Sequence, residues 1–374
     1  MKKSNVTVIA TILVTLHVLG FFILMGSGKN KAEANTPAPS APAPTEPAPA
    51  SAPTSTATPE PLSDFKVPEV AIPVEVVEMP PVQSRETIAA PGTREGYLRS
   101  DRPNRHTKKI YPKLTGAPYR GAIVVDARTG KILYENRATT YCYPASVTKL
   151  MTMLIVLEQI DAGVIHANDK VAISKETAGI GGSEVYLDVR ESGFYTVDQL
   201  LTALMVHSAN DAARALALHV AGSKEAFVGM MNQKARELGM NSTTYHSDHG
   251  LPPSGRTQPD ISTPYDIAIL SLAALRHPET LRYSGTKLAW LPKSPIRKEK
   301  FMLANRNVLV GKDPYQGCDG LKTGYHGIGG WSLAATAEHS GQRVISVVLG
   351  SPDKKTRNAI SRKLLDKGFQ ALGQ

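Results

Sequence analysis

WSLAATAEHSGQRVISVVLG, residues 331–350, decides the fold. Trp331 to Ala337 and Val344 to Leu349 are two apolar runs suited to strands, and Glu338 to Gln342 turns between them. Such a pair reads as an antiparallel hairpin. A second pair lies far upstream. There Gly121–Asp126 is a β-branched run, Arg128-Thr129-Gly130-Lys131 a turn and Ile132 to Tyr134 the return run. Between the pairs the pattern is helical. Pro144 opens a helix through Gln159, as proline favours a first turn. Thr196 to Leu204 carries Val197, Leu200, Leu201 and Leu204 on one stripe. Helices are also expected over Asn210 to Val220, Lys224 to Leu238 with Gly239 as a stop, Pro264 to Leu275 and Asp353 to Leu372. Strands at both ends around a helical middle predict an α+β fold. Its antiparallel sheet would have one edge completed by the first hairpin.

Upstream of that hairpin the chain changes character. Lys2 and Lys3 precede a run from Val6 to Met25 with no Asp, Glu, Lys or Arg. Roughly 20 apolar residues span a bilayer, whereas a cleaved signal core has about 7–15. The length predicts an uncleaved membrane anchor over residues 1–30, with everything after it exported. Ala32-Glu33-Ala34 offers the alternative of a cleavage site. Residues 31–105 hold 15 of the 27 prolines, including the Ala-Pro-Ser-Thr run from Thr36 to Pro61. They read as a disordered, semi-rigid tether. Within it Val70 to Val77 has strand character, which Pro73 opposes. The folded domain is expected over residues 106–374.

Charge divides along the same line. Residues 31–105 carry 7 basic and 10 acidic side chains, and residues from His106 onward account for the whole formal charge of +10. A basic domain suits an anionic partner such as a wall polymer or a membrane surface, and is equally a solvated basic surface. No basic-aromatic repeat or zinc-finger spacing points to nucleic acid. Two cysteines, Cys142 and Cys318, exclude a disulfide-dense scaffold. Each stands four residues before a chemically interesting segment, so they read either as unrelated thiols or as a pair if those segments meet.

Those segments are Ser146-Val147-Thr148-Lys149, Ser208-Ala209-Asn210 and Lys322-Thr323-Gly324. On a helix Ser146 and Lys149 share a face one turn apart. A serine hydroxyl needs a neighbouring base, and a lysine serves only if its pKa falls. Ser146 near a helix start also presents its backbone N–H to developing negative charge. Ser208 can relay a proton and Asn210 can orient Lys149 or meet a substrate amide, although Ser-Ala-Asn-Asp is also a good helix cap. Lys322 and Thr323 suit a substrate carboxylate, Gly324 leaves room for a substrate strand, and the Tyr325 N–H would be a second oxyanion donor. A surface turn is the plain alternative for this third segment. His246 and His249 lack a third ligand at metal-binding spacing and read as loop residues. His207 and His326 flank the second and third segments, and Lys149 makes a histidine base unnecessary.

Together the segments resemble the low-molecular-weight penicillin-binding proteins, the serine D-alanyl-D-alanine carboxypeptidases. The resemblance runs from Gly121 to Phe369. It rests on Pro144-Ala145-Ser146-Val147-Thr148-Lys149-Leu150-Met151-Thr152, Ser208-Ala209-Asn210-Asp211-Ala212-Ala213 and Asp319-Gly320-Leu321-Lys322-Thr323-Gly324-Tyr325, with His249-Gly250-Leu251-Pro252 in support. It implies the penicillin-binding and β-lactamase-like fold, with a helical subdomain, and no metal or other cofactor. It implies removal of the terminal D-alanine from peptidoglycan stem peptides, with β-lactams as covalent inhibitors. Ser146 would be the acylated nucleophile, Lys149 its base and Ser208 the relay. Lys322 and Thr323 would hold the terminal carboxylate, helped by Arg357, which is similar to a family arginine. His326 stands where relatives often carry threonine, and His207 where many carry proline. A C-terminal β-domain is not expected, so the N-terminal segment would hold the chain at the inner membrane, with the domain in the periplasm or cell envelope. A D,D-endopeptidase also fits, whereas the presence of all candidate catalytic groups argues against an inactive wall-binding or penicillin-sensing module. A class A β-lactamase does not fit well, because Glu237-Leu238-Gly239-Met240-Asn241 lacks the deacylating glutamate pattern.

Overall fold

The computed structural model describes residues 117–251 and 258–374. The expected anchor, the tether with its Val70 to Val77 run, and the start of the domain at His106 lie outside the described residues. So does Pro252.

The N-terminal hairpin comprises β1 (Gly121–Asp126) and β2 (Ile132–Asn136), paired antiparallel. A 3₁₀ turn (Ala145–Thr148) runs into α1 (Lys149–Asp161), which is buried from Lys149 to Leu157. Such an all-round apolar helix belongs at the centre of a domain. α2 (Val197–Thr202) widens into a π turn (Ala203–His207), followed by α3 (Asn210–Ala221) and α4 (Lys224–Glu237). α5 (Pro264–Leu275) is buried at all its positions, and the Thr263 hydroxyl caps it by accepting from the Asp266 N–H at 3.1 Å. After α6 (Glu279–Gly285) come a two-stranded ribbon, β3 (Leu288–Leu291) with β4 (Phe301–Ala304), and then β5 (Cys318–His326), β6 (Gly330–His339) and β7 (Gln342–Ser351). α7 (Lys354–Ala371) closes the chain.

The main sheet has the order β2-β1-β7-β6-β5 and is antiparallel throughout. Ala334 faces Val347 across the terminal hairpin, and Val347 faces Ile123 of β1. Both faces are covered, so β1 is buried at every position and shows no polar alternation. On one face Ala122, Val124, Val344 and Val348 pack against Leu364, Leu365 and Phe369 of α7. On the other, Ile123, Val125, Ile345 and Val347 join the large core built with α1 and α5.

The N-terminal hairpin does complete one edge of the sheet, as expected. The opposite edge is new. Lys322-Thr323-Gly324 lies inside β5 and is not a surface turn. Gly320 and Gly324 dilute the β-pattern there, and strand propensity yields to cross-strand pairing. α6 and the β3–β4 ribbon were also not anticipated. The turn between β6 and β7 is only Ser340-Gly341, shorter than the sequence suggested. Among the described residues no helix is long and apolar enough to cross a membrane.

Candidate active site

The 3₁₀ turn packs on β5 and carries Ser146 half-buried. Ser146 thus precedes α1 by one turn and is not inside the helix itself. Ala145 adopts φ 51, a left-handed conformation rare for a side-chain-bearing residue. Two glycines accommodate this turn. A Cβ on Gly324 would meet the Pro144 carbonyl at 2.4 Å, and one on Gly250 would meet the Ala145 carbonyl at 2.0 Å. The space at Gly324 is therefore filled by the serine-bearing turn.

Lys149 is the centre of the constellation and is fully buried. Its Nζ donates to Ser146 Oγ at 3.1 Å, to Asn210 Oδ1 at 2.6 Å and to the His249 carbonyl at 2.6 Å. Burial pulls it from the ordinary lysine value down to about 7, against the opposing pull of Asp248, Asp260 and Asp211. Asn210 Nδ2 donates onward to the Gly181 carbonyl at 2.6 Å, which fixes the amide so that its oxygen faces the lysine.

Ser208 follows the π turn in a left-handed conformation, φ 66. The helix-cap reading fails for it. Ala209 occupies the cap position of α3 with no side-chain cap bond, and Asn210 is the first helical residue. Ser208 instead accepts from Lys322 Nζ at 2.8 Å. Lys322 also donates to the Thr323 carbonyl at 3.1 Å. Burial, then the charges of Lys149, Arg306 and Arg357, depress Lys322 well below the lysine range. Thr323 is buried beside it. Tyr325 is half exposed and packs in a tilted arrangement against Trp331, ring centroids 4.3 Å apart. Arg357 is buried, donates to Asn358 Oδ1 at 2.6 Å and to the Ser332 carbonyl at 3.4 Å, and is lowered to about 10 by burial. It acts on Lys322 through its field and makes no hydrogen bond to it. Two contacting pairs from three segments result, Ser146 with Lys149 and Ser208 with Lys322; Asn210 braces Lys149, whose charge reaches Lys322.

Supporting residues had no sequence signal. Buried Asp260 accepts from the His246 and Ser247 N–H groups at 2.7 and 2.9 Å and from the Thr148 and Ser247 hydroxyls at 2.7 and 3.1 Å. That ties the His249–Gly250 loop to the start of α1. Asp248 pairs with Arg214 at 2.6 Å, and its carbonyl accepts from Thr152 at 2.6 Å. Arg306 donates to His207 Nε2 at 3.1 Å, which leaves the imidazole proton on Nδ1, and burial holds His207 at about 4. His249 joins the site through its carbonyl, while its ring accepts from the Leu251 N–H at 3.1 Å. Among the described residues no His, Cys, Asp or Glu cluster is arranged to hold a metal. The thiols are unpaired. Cys142 donates to the Thr140 carbonyl and Cys318 to the Gly320 carbonyl, and burial pushes each up to about 12.

Residues 116–353 match a family profile described as D-alanyl-D-alanine carboxypeptidase. D-alanyl-D-alanine carboxypeptidase DacF of Bacillus subtilis is 38% identical over 250 residues, 67% of this chain and 62% of that protein. DacC of Escherichia coli is 36% identical, covering 67% of this chain and 61% of its own length. The chain thus spans about three fifths of the length of the curated relatives it matches. Among solved structures, an ampicillin-bound penicillin-binding protein of Listeria monocytogenes is 32% identical with a TM-score of 0.58, covering 69% of this chain and all of that one.

Proposed function

The chain belongs to the D-alanyl-D-alanine carboxypeptidase family, and on that premise we propose that it removes the terminal D-alanine from peptidoglycan stem peptides through an acyl-serine intermediate at Ser146. Ser146 Oγ attacks the penultimate D-alanine carbonyl while Lys149 Nζ takes the hydroxyl proton. The carbon–nitrogen bond breaks, and Ser208 passes a proton to the departing D-alanine amine. The proton that Ser208 passes is the one Lys149 took, so Lys149 is neutral again. It then deprotonates the water that adds to the ester and returns that proton to Ser146 Oγ as the ester C–O bond breaks. A lysine at about 7 is neutral often enough near neutral pH to accept the proton.

Lys322 and Thr323 take the terminal carboxylate, with Arg357 adding to the field. Burial and the charges of Lys149, Arg306 and Arg357 depress Lys322, and an arriving carboxylate would restore its charge. The oxyanion sits between the Ser146 and Tyr325 N–H groups. Support for the second donor comes from Thr323, whose carbonyl accepts from Lys322 and so faces the cleft. Residues two apart on a strand direct their backbone groups to the same side, which turns the Tyr325 N–H there too.

The observation that carries the reading is the 3.1 Å contact between Lys149 Nζ and Ser146 Oγ at a buried, depressed lysine. β-Lactams would acylate Ser146 by the same route, in keeping with the ampicillin-bound relative. Residues 1–30 would anchor the chain in the inner membrane, residues 31–105 would act as a spacer, and residues 106–374 would form the catalytic domain in the cell envelope. The test is mass spectrometry after incubation with a stem pentapeptide ending in D-Ala-D-Ala. Loss of one alanine is expected from the wild type and none from Ser146→Ala. An intact pentapeptide alongside cleaved dimeric muropeptides would replace the carboxypeptidase by an endopeptidase. Fluorescent-penicillin labelling that survives in Ser146→Ala would remove Ser146 from its role.

A further inference from the structure

The β3–β4 ribbon reverses the usual rule for a solvated strand pair. Its inner positions, Leu291 and Leu303, are buried, and the elements behind them include the π turn at Ala203–His207. Its outer positions should be polar. They are Leu288, Trp290 and Met302, exposed by 59%, 56% and 50%. Trp290 stands opposite Met302 in the ladder, and Leu288 lies two residues before Trp290, so all three share one face. The connection between the strands adds charge. Lys293, Lys298 and Lys300 are exposed there, with Glu299 as the sole carboxylate between the strands and Lys287 at the ribbon's start. Glu299 approaches Lys293 at 3.7 Å, and among the described residues no carboxylate pairs with Lys298 or Lys300. Arg297 is spent internally, donating to the Val185 carbonyl at 2.6 Å.

We propose that this outer face docks on an anionic lipid surface, with Trp290, Leu288 and Met302 entering the interfacial layer and the lysines meeting lipid phosphates. An indole flanked by aliphatic side chains and rimmed by exposed lysines matches the wet-above, apolar-below profile of a bilayer boundary. A glycan strand suits the face poorly, because its three outward side chains offer no carbonyl, hydroxyl or amide to sugar hydroxyls beyond the single indole N–H. A second copy of the chain suits it poorly too, since a twofold contact would bring the same lysines together. The docked ribbon would orient the neighbouring cleft with respect to the membrane. The proposal does not depend on the reaction assigned to Ser146.

The test uses the full chain in vesicles carrying brominated acyl chains, with phosphatidylcholine alone or mixed with phosphatidylglycerol. The chain has two tryptophans, so a Trp290→Phe variant measures the Trp331 signal to be subtracted. Trp290 emission should be quenched in the anionic vesicles and much less in the neutral ones. A Lys293→Glu, Lys298→Glu, Lys300→Glu variant should lose that quenching. At about fivefold per lysine near a charged surface, three reversals reduce the docked population by at least roughly 100-fold. Its thermal unfolding should match wild type, which shows that the fold is intact. Any association through residues 1–30 affects both vesicle types and all variants alike, so the quenching reads the ribbon itself. Equal quenching in both vesicle types, no quenching, or Trp290 shielding that follows protein concentration without lipid would each overturn the proposal.

Discussion

Replacing Gly324 with alanine separates two roles for that position. If the missing side chain serves a substrate strand, the folded protein should tolerate a methyl group and only substrate binding should suffer. The packing says otherwise. The new Cβ would lie 2.4 Å from the Pro144 carbonyl, 3.2 Å from Val147 Cγ2 and 3.3 Å from Ala145 Cβ. Relief requires the serine-bearing turn to move by roughly 1 Å, and Ala145 is already in a left-handed conformation. Overpacking of this kind costs about 1–3 kcal/mol. Alanine restores about 0.4–1 kcal/mol by restricting the unfolded chain. The net destabilisation is therefore at most about 2.6 kcal/mol, a fall in Tm of up to roughly 10 °C at about 2–4 °C per kcal/mol. Displacing a nucleophile by about 1 Å costs roughly 100-fold in rate. Calorimetry and stopped-flow acylation by a fluorescent penicillin give the two numbers. A wild-type Tm with a wild-type acylation rate would refute the packing argument and return Gly324 to the substrate.

Acylation should rise with pH through about 7, because only neutral Lys149 accepts the serine proton, and Lys149→Arg should abolish it across the range; a flat profile between pH 5 and 9 would exclude Lys149 as the base. The same lysine binds a proton in the unfolded chain but not in the folded one between about 7 and the ordinary lysine value, so its contribution makes stability rise with pH in that window, by at most about 1.4 kcal/mol per pH unit. Lys149→Met should flatten that part of a urea-unfolding series. Asp260→Ala strands two buried N–H groups and should cost about 2–5 kcal/mol while slowing acylation, since the loop that holds Lys149 loses its tie to α1; a loss under about 1 kcal/mol would contradict the role given to Asp260. Neither Cys142 nor Cys318 should react with iodoacetamide in the folded protein at neutral pH, and both should react once it is unfolded; protection of the unfolded, unreduced protein would indicate a disulfide.

Much of the fold was legible because its signals are short-range. The β-branched runs of β1 and β7 and the apolar stripes of the helices declare themselves within a few residues, and so do the three motifs. What escaped was set by neighbours. β5 reads as a glycine-broken stretch until β6 supplies its ladder. The β3–β4 ribbon carries apolar side chains on its outer face, so its alternation was invisible. Asp260 is one aspartate among many until four donors surround it.

The sequence by itself determined that Ser146 and Lys149 lie one turn apart, since an i, i+3 spacing is a local property of a helical backbone. It also supplied every side chain that the proposed chemistry uses. Only the tertiary structure decided that Ser208 turns away from capping α3 and towards Lys322, 114 residues further on. It also decided that Lys149 is dry enough to be held near 7. Desolvation is a sum over every element that excludes water, and no window of sequence contains that sum.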